Sequence, residues 1–334
     1  MASGEDSRNG AVLIAQTLFA EMAADESVVV FGEDVGKLGG VFGATRKLQT
    51  TYGRQRVFDT PISETAFLGM AVGAAQAGLR PVVELMFVDF LGVCFDQIAN
   101  QMAKNHYMSG GEVAVPLVLR SAVGSIGSAA QHSQVLGATF AHFPGLRVVM
   151  PASPNDLQGM LASAVRCNDP VVFLEHKQLL KTRASDLAFN DAQTQGEPIK
   201  PTPLTSCRRL REGHDVTIVA AGWMVQESIR AADALALEGT SVGVVDVRSL
   251  APLDRDGLAE HAPAASRLLI VDDDYLRYGM SGEIAISIVE RLGGSSPLIA
   301  RHGLDVSLPA SRVLEQFVLP SAASIADYIR TWGG

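Results

Sequence analysis

Short, continuously apolar runs alternate with helix-patterned stretches along almost the whole chain, and no other feature constrains its fold as much. The runs VVVF (28–31) and PVVF (170–173) have no polar face, as expected of parallel strands covered on both sides. Expected strands are Val28–Phe31, Arg80–Met86, Val115–Arg120, Leu146–Met150 and Val171–Glu175. Between them, helical spacing covers Ala11–Ala24, Glu64–Ala77, Phe90–Met108 and Asn155–Cys167. Such alternation builds layered α/β structure. The pattern weakens after Leu180. Pro198, Pro201 and Pro203 exclude a helix there, and 181–207 reads as a linker. It resumes with strand Val216–Ala220, helix Val225–Leu237, strand Ser241–Val245, helix Asp254–His261, strand Leu268–Val271, helix Ser281–Leu292 and strand Leu298–Ala300. Helices Ala310–Phe317 and Ser321–Arg330 close the chain. The expected fold is therefore α/β with two doubly wound domains, 8–180 and a smaller 208–332. A length of 334 residues suits two domains.

Net charge is −9, with 27 basic and 36 acidic residues, which argues against nucleic acid as a partner. No stretch approaches 18 apolar residues, so no membrane span is expected. Met1–Gly10 is polar, carries Glu5 and Asp6, and lacks the apolar centre of a signal peptide. Cys94, Cys167 and Cys207 show no CxxC spacing, so neither a disulfide framework nor a zinc site is expected. A reducing, cytoplasmic setting is the simplest expectation.

The sequence has no G-x-x-x-x-G-K-[ST], no G-x-G-x-x-G after a strand, no G-x-S-x-G and no H-E-x-x-H. Three local features remain. In Pro61-Ile62-Ser63-Glu64, Ser63 stands as an N-cap and Glu64 in the first turn of a small-residue helix. Taken alone, such an acid is a dipole partner worth about 0.3–1 kcal/mol. The Gly and Ala content of that helix (Gly69, Ala71, Gly73) permits close packing, as a core helix or at a subunit or ligand contact. Glu84 to Phe90 closes a strand, where ligands of open α/β sheets gather, although Met86, Phe87 and Phe90 also suit a core. His132 lies on a small-residue loop after PLVLR, placed either for proton work or for a plain backbone contact.

Together these segments resemble one family: the β subunit of the thiamine-diphosphate-dependent component of 2-oxo acid dehydrogenase complexes. The residues carrying the likeness are VFDTPISETAFLGMAVGAAQAGLRPVVELMFVDF, DQIANQMAKNHYMSGG, PLVLR, AAQHSQ, PGLRVVMPASPNDLQGML and NDPVVFLEHK. In the second half, DVTIVAAG, VGVVDVRSLAPLD, GMSGEIA and LEQFVLPSAASIADYI resemble the transketolase C-terminal domain. The likeness runs from about Ala11 to Ile329, and ELMFVDF, DQI and EHK are nearest the acetoin dehydrogenase branch.

The resemblance implies a transketolase-like fold: a pyrimidine-binding domain followed by a C-terminal domain. It also implies a role for each feature. Glu64 matches the glutamate that meets N1′ of the cofactor's aminopyrimidine. A carboxyl sharing that proton favours the imino form of the 4′-amino group, the internal base for the thiazolium C2–H. Apolar burial would help Glu64 keep the proton. Ile62, Met86 and Phe90 match positions around the aminopyrimidine, and His132 the histidine facing the substrate side. A potassium ion is implied on the main-chain carbonyls of Leu117, Ala164, Val165, Cys167 and Asp169. Val271-Asp272-Asp273-Asp274 departs from the family pattern. Three adjacent acids repel unless solvated or paired with a partner's basic residues.

Thiamine diphosphate enzymes of this kind hold Mg²⁺ and the diphosphate with a GDG motif, and this chain has none. The resemblance then implies an α subunit that supplies Mg²⁺ and the diphosphate site, in an α2β2 assembly with a shared active site. The implied activity is that of an oxidoreductase acting on a 2-oxo acid (pyruvate dehydrogenase type) or on acetoin. Lipoamide would be the acceptor, on a lipoyl-bearing dihydrolipoamide acyltransferase partner. The alternatives are a two-chain thiamine diphosphate carboligase or synthase that never meets lipoamide, and a non-catalytic scaffold. Glu64 and His132 together argue against the scaffold.

Overall fold

A computed structural model describes residues 6–262 and 267–332. Met1–Glu5, part of the polar start considered above, lie outside them. The first half runs α1 (Gly10–Ala24), β1 (Val28–Gly32), α2 (Leu48–Tyr52), β2 (Val57–Asp59), α3 (Glu64–Gln76), β3 (Arg80–Phe87) and α4 (Ala103–Met108). It continues with β4 (Val118–Val123), α5 (Gly137–Ala141), β5 (Arg147–Val149), α6 (Pro154–Arg166), β6 (Val171–His176) and α7 (Lys177–Lys181). The second half runs β7 (Arg208–Arg211), β8 (Val216–Ala220), α8 (Trp223–Ala236), β9 (Val242–Asp246), β10 (Ser249–Ala251) and α9 (Arg255–His261). It ends with β11 (Arg267–Tyr275), α10 (Met280–Leu292), β12 (Leu298–Leu304), α11 (Arg312–Val318) and α12 (Ala322–Thr331).

Two sheets result. The first has the order β10-β5-β6-β4-β3-β1-β2, parallel except for β10. The second has the order β12-β11-β8-β9-β7, parallel except for β7. Strands β1, β4, β6, β8 and β9 are buried at every residue, as their largely apolar sequences favour. In the first sheet the chain leaves β1 toward β2 on one side and passes through α3 to β3 on the other. The carboxyl ends of β1 and β3 thus flank a topological switch point, where open α/β sheets form a ligand crevice.

The structure corrects several sequence expectations. The predicted helix Phe90–Met108 is a 3-10 turn at Val88–Val93, then a π-helical segment at Gln97–Met102, then α4. Backbone bonds of i→i+3, i→i+4 and i→i+5 share nearly the same apolar spacing, so periodicity could not separate them. Strand Val115–Arg120 is displaced to Val118–Val123, because Pro116 has no N–H for the ladder. The segment after α7 is irregular yet pinned. Phe189 N–H donates to Gln226 at 2.9 Å, Asn155 N–H to Asp191 at 3.0 Å, and Thr202 N–H to Gly159 O at 2.9 Å.

Strand β10, which sequence reading missed, comes from the second half but pairs antiparallel with β5 of the first sheet. Beside it, Arg248 donates to both carboxylate oxygens of Asp156, at 2.9 and 2.7 Å, and both residues are buried. One apolar cluster joins Val83, Leu119 and Val172 of the first sheet to Val219, Val245 and Ile270 of the second. The halves therefore share a core.

The acidic triplet is neither solvated nor in need of a partner chain, correcting that expectation. Asp273 pairs with His176 across the two halves, Nε2 to Oδ2 at 2.9 Å, both groups buried. Gln178 N–H donates to His176 Nδ1 at 3.2 Å, which places the imidazole proton on Nε2, directed at Asp273. Asp272 accepts from the N–H groups of Asp274 and Ser281. Burial, reinforced by the neighbouring acids, pushes Asp272 up to about 7; burial chiefly pushes Asp274 up to about 6. An acid whose folded pKa is raised binds protons more tightly in the native state. Its contribution is therefore lost as pH rises from about 4 toward 7. Asp272→Asn is accordingly expected to raise stability at pH 8 by on the order of 2 kcal/mol, a gain that vanishes by pH 4. Chemical denaturation at the two pH values checks it, and a gain independent of pH refutes it.

Candidate active site

Each parallel strand of the first sheet delivers its following loop to the same edge, and the chemistry-bearing side chains collect there. Glu33 follows β1, Glu64 opens the helix after β2, Met86 and Phe87 end β3, Phe90 lies in the turn beyond, His132 follows β4, and Lys177 follows β6.

Glu64 is the first residue of α3 and is 7% exposed. Ser63 occupies the N-cap position, but its hydroxyl donates to Pro61 O and makes no cap bond. The carboxyl of Glu64 is thus left beside the unfilled helix end and next to Glu33. Glu33 is 8% exposed, and its Oε1 is buried without a hydrogen-bond partner among the described residues. Burial pushes Glu33 up from the usual carboxylate range, and the Glu64 charge adds to this. Sequence reading missed Glu33. Its signal was an acid directly after a fully buried parallel strand, VVVFGED. The Glu64 charge also reaches Cys94, whose thiol donates to Phe90 O at 3.6 Å within the turn after β3. Thr65 Oγ1 donates to Val93 O in the same seam. Ile62 is 84% exposed on the approach to α3, available to another surface.

Phe90 and His132 do come together: their rings meet edge-on with centroids 5.9 Å apart. Phe87 joins them, 5.3 Å from His132 and 5.8 Å from Phe90. Met86 is partly buried and faces the other side of β3, over a small cavity lined by Phe42, Glu84, Arg120 and Glu175. Beneath it Arg120 is 1% exposed. It donates to Glu175 at 2.6 and 2.8 Å and to Glu84 at 3.0 Å. This triad spans β3, β4 and β6 and fixes their carboxyl ends under the site. The two carboxylates hold the guanidinium charged.

The crevice fits an aminopyrimidine in kind: a buried carboxyl for a ring nitrogen, a second acid with an unsatisfied oxygen, and aromatic walls. The potassium carbonyls are more committed. Val165 O and Cys167 O accept from Arg80 Nη1 at 3.0 and 2.9 Å, and Arg80 Nη2 donates to Asn168 at 2.7 Å. Leu117 O and Ala164 O accept from Val171 and Cys167 N–H. A potassium ion there would share oxygens with a guanidinium, and neighbouring positive charges oppose each other. Among the described residues no group of three or more His, Cys, Asp or Glu side chains is arranged to hold a metal ion. Nor is any described helix long and apolar enough to cross a membrane.

This fold and crevice define a chain of the transketolase type. Residues 9–183 match the family described as transketolase, pyrimidine binding domain, and residues 206–325 match transketolase, C-terminal domain. A solved split-gene transketolase, an inactive β4 tetramer, superposes with a TM-score of 0.76 at 21% identity, covering 96% of this chain and 97% of that one. More narrowly, the chain belongs to the family of pyruvate and acetoin dehydrogenase β subunits. It is 40% identical to the acetoin:2,6-dichlorophenolindophenol oxidoreductase subunit beta of Cupriavidus necator, over 95% of each chain. It is also 40% identical to the mitochondrial pyruvate dehydrogenase E1 component subunit beta-1 of Arabidopsis thaliana, over 93% of this chain and 84% of that one. With the acetoin oxidoreductase subunit beta of Bacillus subtilis the identity is 38%, over 92% and 91%.

Proposed function

We propose that this chain is the β subunit of a thiamine-diphosphate-dependent dehydrogenase that oxidatively decarboxylates a 2-oxo acid or cleaves acetoin and passes the acyl group to lipoamide. The observation that carries this reading is the buried Glu64 carboxyl at the switch-point crevice, in a chain 40% identical to dehydrogenase β subunits. Residues 8–180 form the pyrimidine-binding unit, 181–207 the connection and 208–332 the C-terminal unit. Mg²⁺ and the diphosphate are held by an α subunit. The missing GDG motif and the lack of a metal-holding cluster among the described residues support that division. The working assembly is α2β2, with a lipoyl-bearing acyltransferase as acceptor.

Thiamine diphosphate, when bound, supplies the nucleophilic carbon that attacks the substrate carbonyl. Glu64 holds a proton at N1′ of the aminopyrimidine, and its neighbour Glu33, pushed up by burial and by the Glu64 charge, favours a proton in the same crevice. Phe90 walls the ring and excludes water, while Met86 lines the cavity on the other face of β3. His132, against Phe87 and Phe90, binds the substrate oxygen and moves a proton on the side where the acyl group is taken up.

Calorimetry with thiamine diphosphate and Mg²⁺ tests the division of labour. The isolated chain is expected to show no stoichiometric binding, and the α/β complex to bind tightly. Tight binding and turnover by the chain alone would refute the shared site. Assaying the complex against pyruvate, acetoin, branched-chain and aromatic 2-oxo acids, with an artificial electron acceptor, then assigns the substrate.

A further inference from the structure

Lys177 is 0% exposed, and no carboxylate lies within salt-bridge distance of it among the described residues. Lysine is rarely buried so completely without a counter-charge. Its ammonium donates instead to two main-chain oxygens, Gly124 O at 3.0 Å and His132 O, and lies 4.7 Å from the centre of the Phe87 ring. Those oxygens belong to one loop, residues 124–134, whose ends are tied by Gly124 N–H donating to Gln134 O at 2.9 Å. The same loop is gripped from the opposite sign of charge. Asp89 Oδ1 accepts from Gln134 N–H and Nε2 at 3.3 and 2.9 Å, while Asp89 Oδ2 is buried without a partner. Phe87 therefore lies against the Lys177 ammonium and, at 5.3 Å, against the His132 ring. The histidine is held by its backbone, which leaves the imidazole free for chemistry.

Resting on the functional reading above, we infer that Lys177 is a positioning residue of the reaction, whose buried ammonium fixes the main chain at His132 and so aims the imidazole at the substrate side of the crevice. Its placement is itself determined. Lys177 opens α7, which His176 caps by accepting from Gln178 N–H, and His176 is locked to Asp273 of the second half. At Gly124, φ is +76°, and an added Cβ would lie 1.9 Å from His176 Nε2, so only glycine lets the loop end pass that ring.

The charged groups facing Lys177 are Asp89, from the turn after β3, and Lys181, one turn along α7. Burial lowers the ammonium to about 8, with Asp89 opposing and Lys181 assisting the shift. Above that pH the charge-assisted bonds to the loop weaken and turnover should fall.

The test uses the α/β complex with thiamine diphosphate, Mg²⁺ and its best substrate. In Lys177→Met, kcat is expected to fall about 10–100-fold, the cost of a misplaced catalytic group, while thiamine diphosphate affinity is unchanged. Lys177→Arg is expected to recover much of kcat and to remove the alkaline limb that the wild type shows near pH 8, because guanidinium stays charged. Amide hydrogen exchange in the full-length chain reads the loop directly. Residues 124–134 exchange faster in Lys177→Met, and α3 does not. Unchanged exchange, an unchanged kcat, a wild-type profile without the limb, or equal losses in both variants overturns the inference. A wild-type complex that turns over no substrate of the panel overturns the functional reading instead, and loop exchange alone then decides the role of Lys177.

Discussion

Glu64→Gln is expected to lower kcat of the α/β complex by about 10²–10⁴-fold, the range for losing a positioned acid–base group. The amide keeps the shape of the side chain at the first position of α3, 7% exposed, so the packing of the helix start should persist. On the proposed reading, what would be lost is the proton shared with the aminopyrimidine. A glutamine can donate or accept at a ring nitrogen, but it cannot pass a proton to it and take it back. The heteromer should therefore form normally, with cofactor affinity reduced far less than kcat. Single-turnover kinetics beside an equilibrium binding measurement separate the two effects. A variant retaining near-normal turnover would remove Glu64 from the chemistry. A variant that fails to assemble would make it a structural acid at a helix end.

The second large effect concerns stability. Arg120→Met is expected to destabilise the protein by about 3–5 kcal/mol, because it strands Glu84 and Glu175 without their counter-charge. Both acids are buried, at 8% and 3% exposure, and Arg120 bridges them at 2.6 to 3.0 Å. Acidification should rescue part of the loss, since protonating either acid removes the uncompensated charge. Denaturant titration of wild type and variant at pH 5 and pH 8 measures both quantities. A loss below about 1 kcal/mol would place the triad among ion pairs that contribute little. Glu84 lies two residues from Met86 on β3, so the same change should loosen the cavity that Met86 lines.

The alternation of apolar runs was enough to read two wound sheets, because strands covered on both faces are predominantly apolar, with polar residues such as Arg120, Glu175 and His176 paired internally. Glu64, Phe90 and His132 could be singled out as candidates because each lies just past a strand or at a helix start, and the family resemblance supplied the roles proposed for them. Glu33 and Lys177 were not singled out. An acid after a strand and a lysine at a helix start are ordinary until burial removes the water that would make them so. The Asp272–Asp274 run misled for the opposite reason, since its natural setting is solvent, while its actual neighbours are His176 and backbone N–H groups from distant segments. Strand β10 left no periodic signal, because three residues cannot display a period of two.

That short strand sets a limit on how the molecule can be taken apart. Removing the second half at any point in 181–207 would take β10 from the crevice and expose the outer row of donors and acceptors on β5, an invitation to adventitious pairing. It would also strand Asp156 without Arg248. The half that carries the crevice is therefore not an exportable module: whoever transplants it must bring the returning segment that seals its margin.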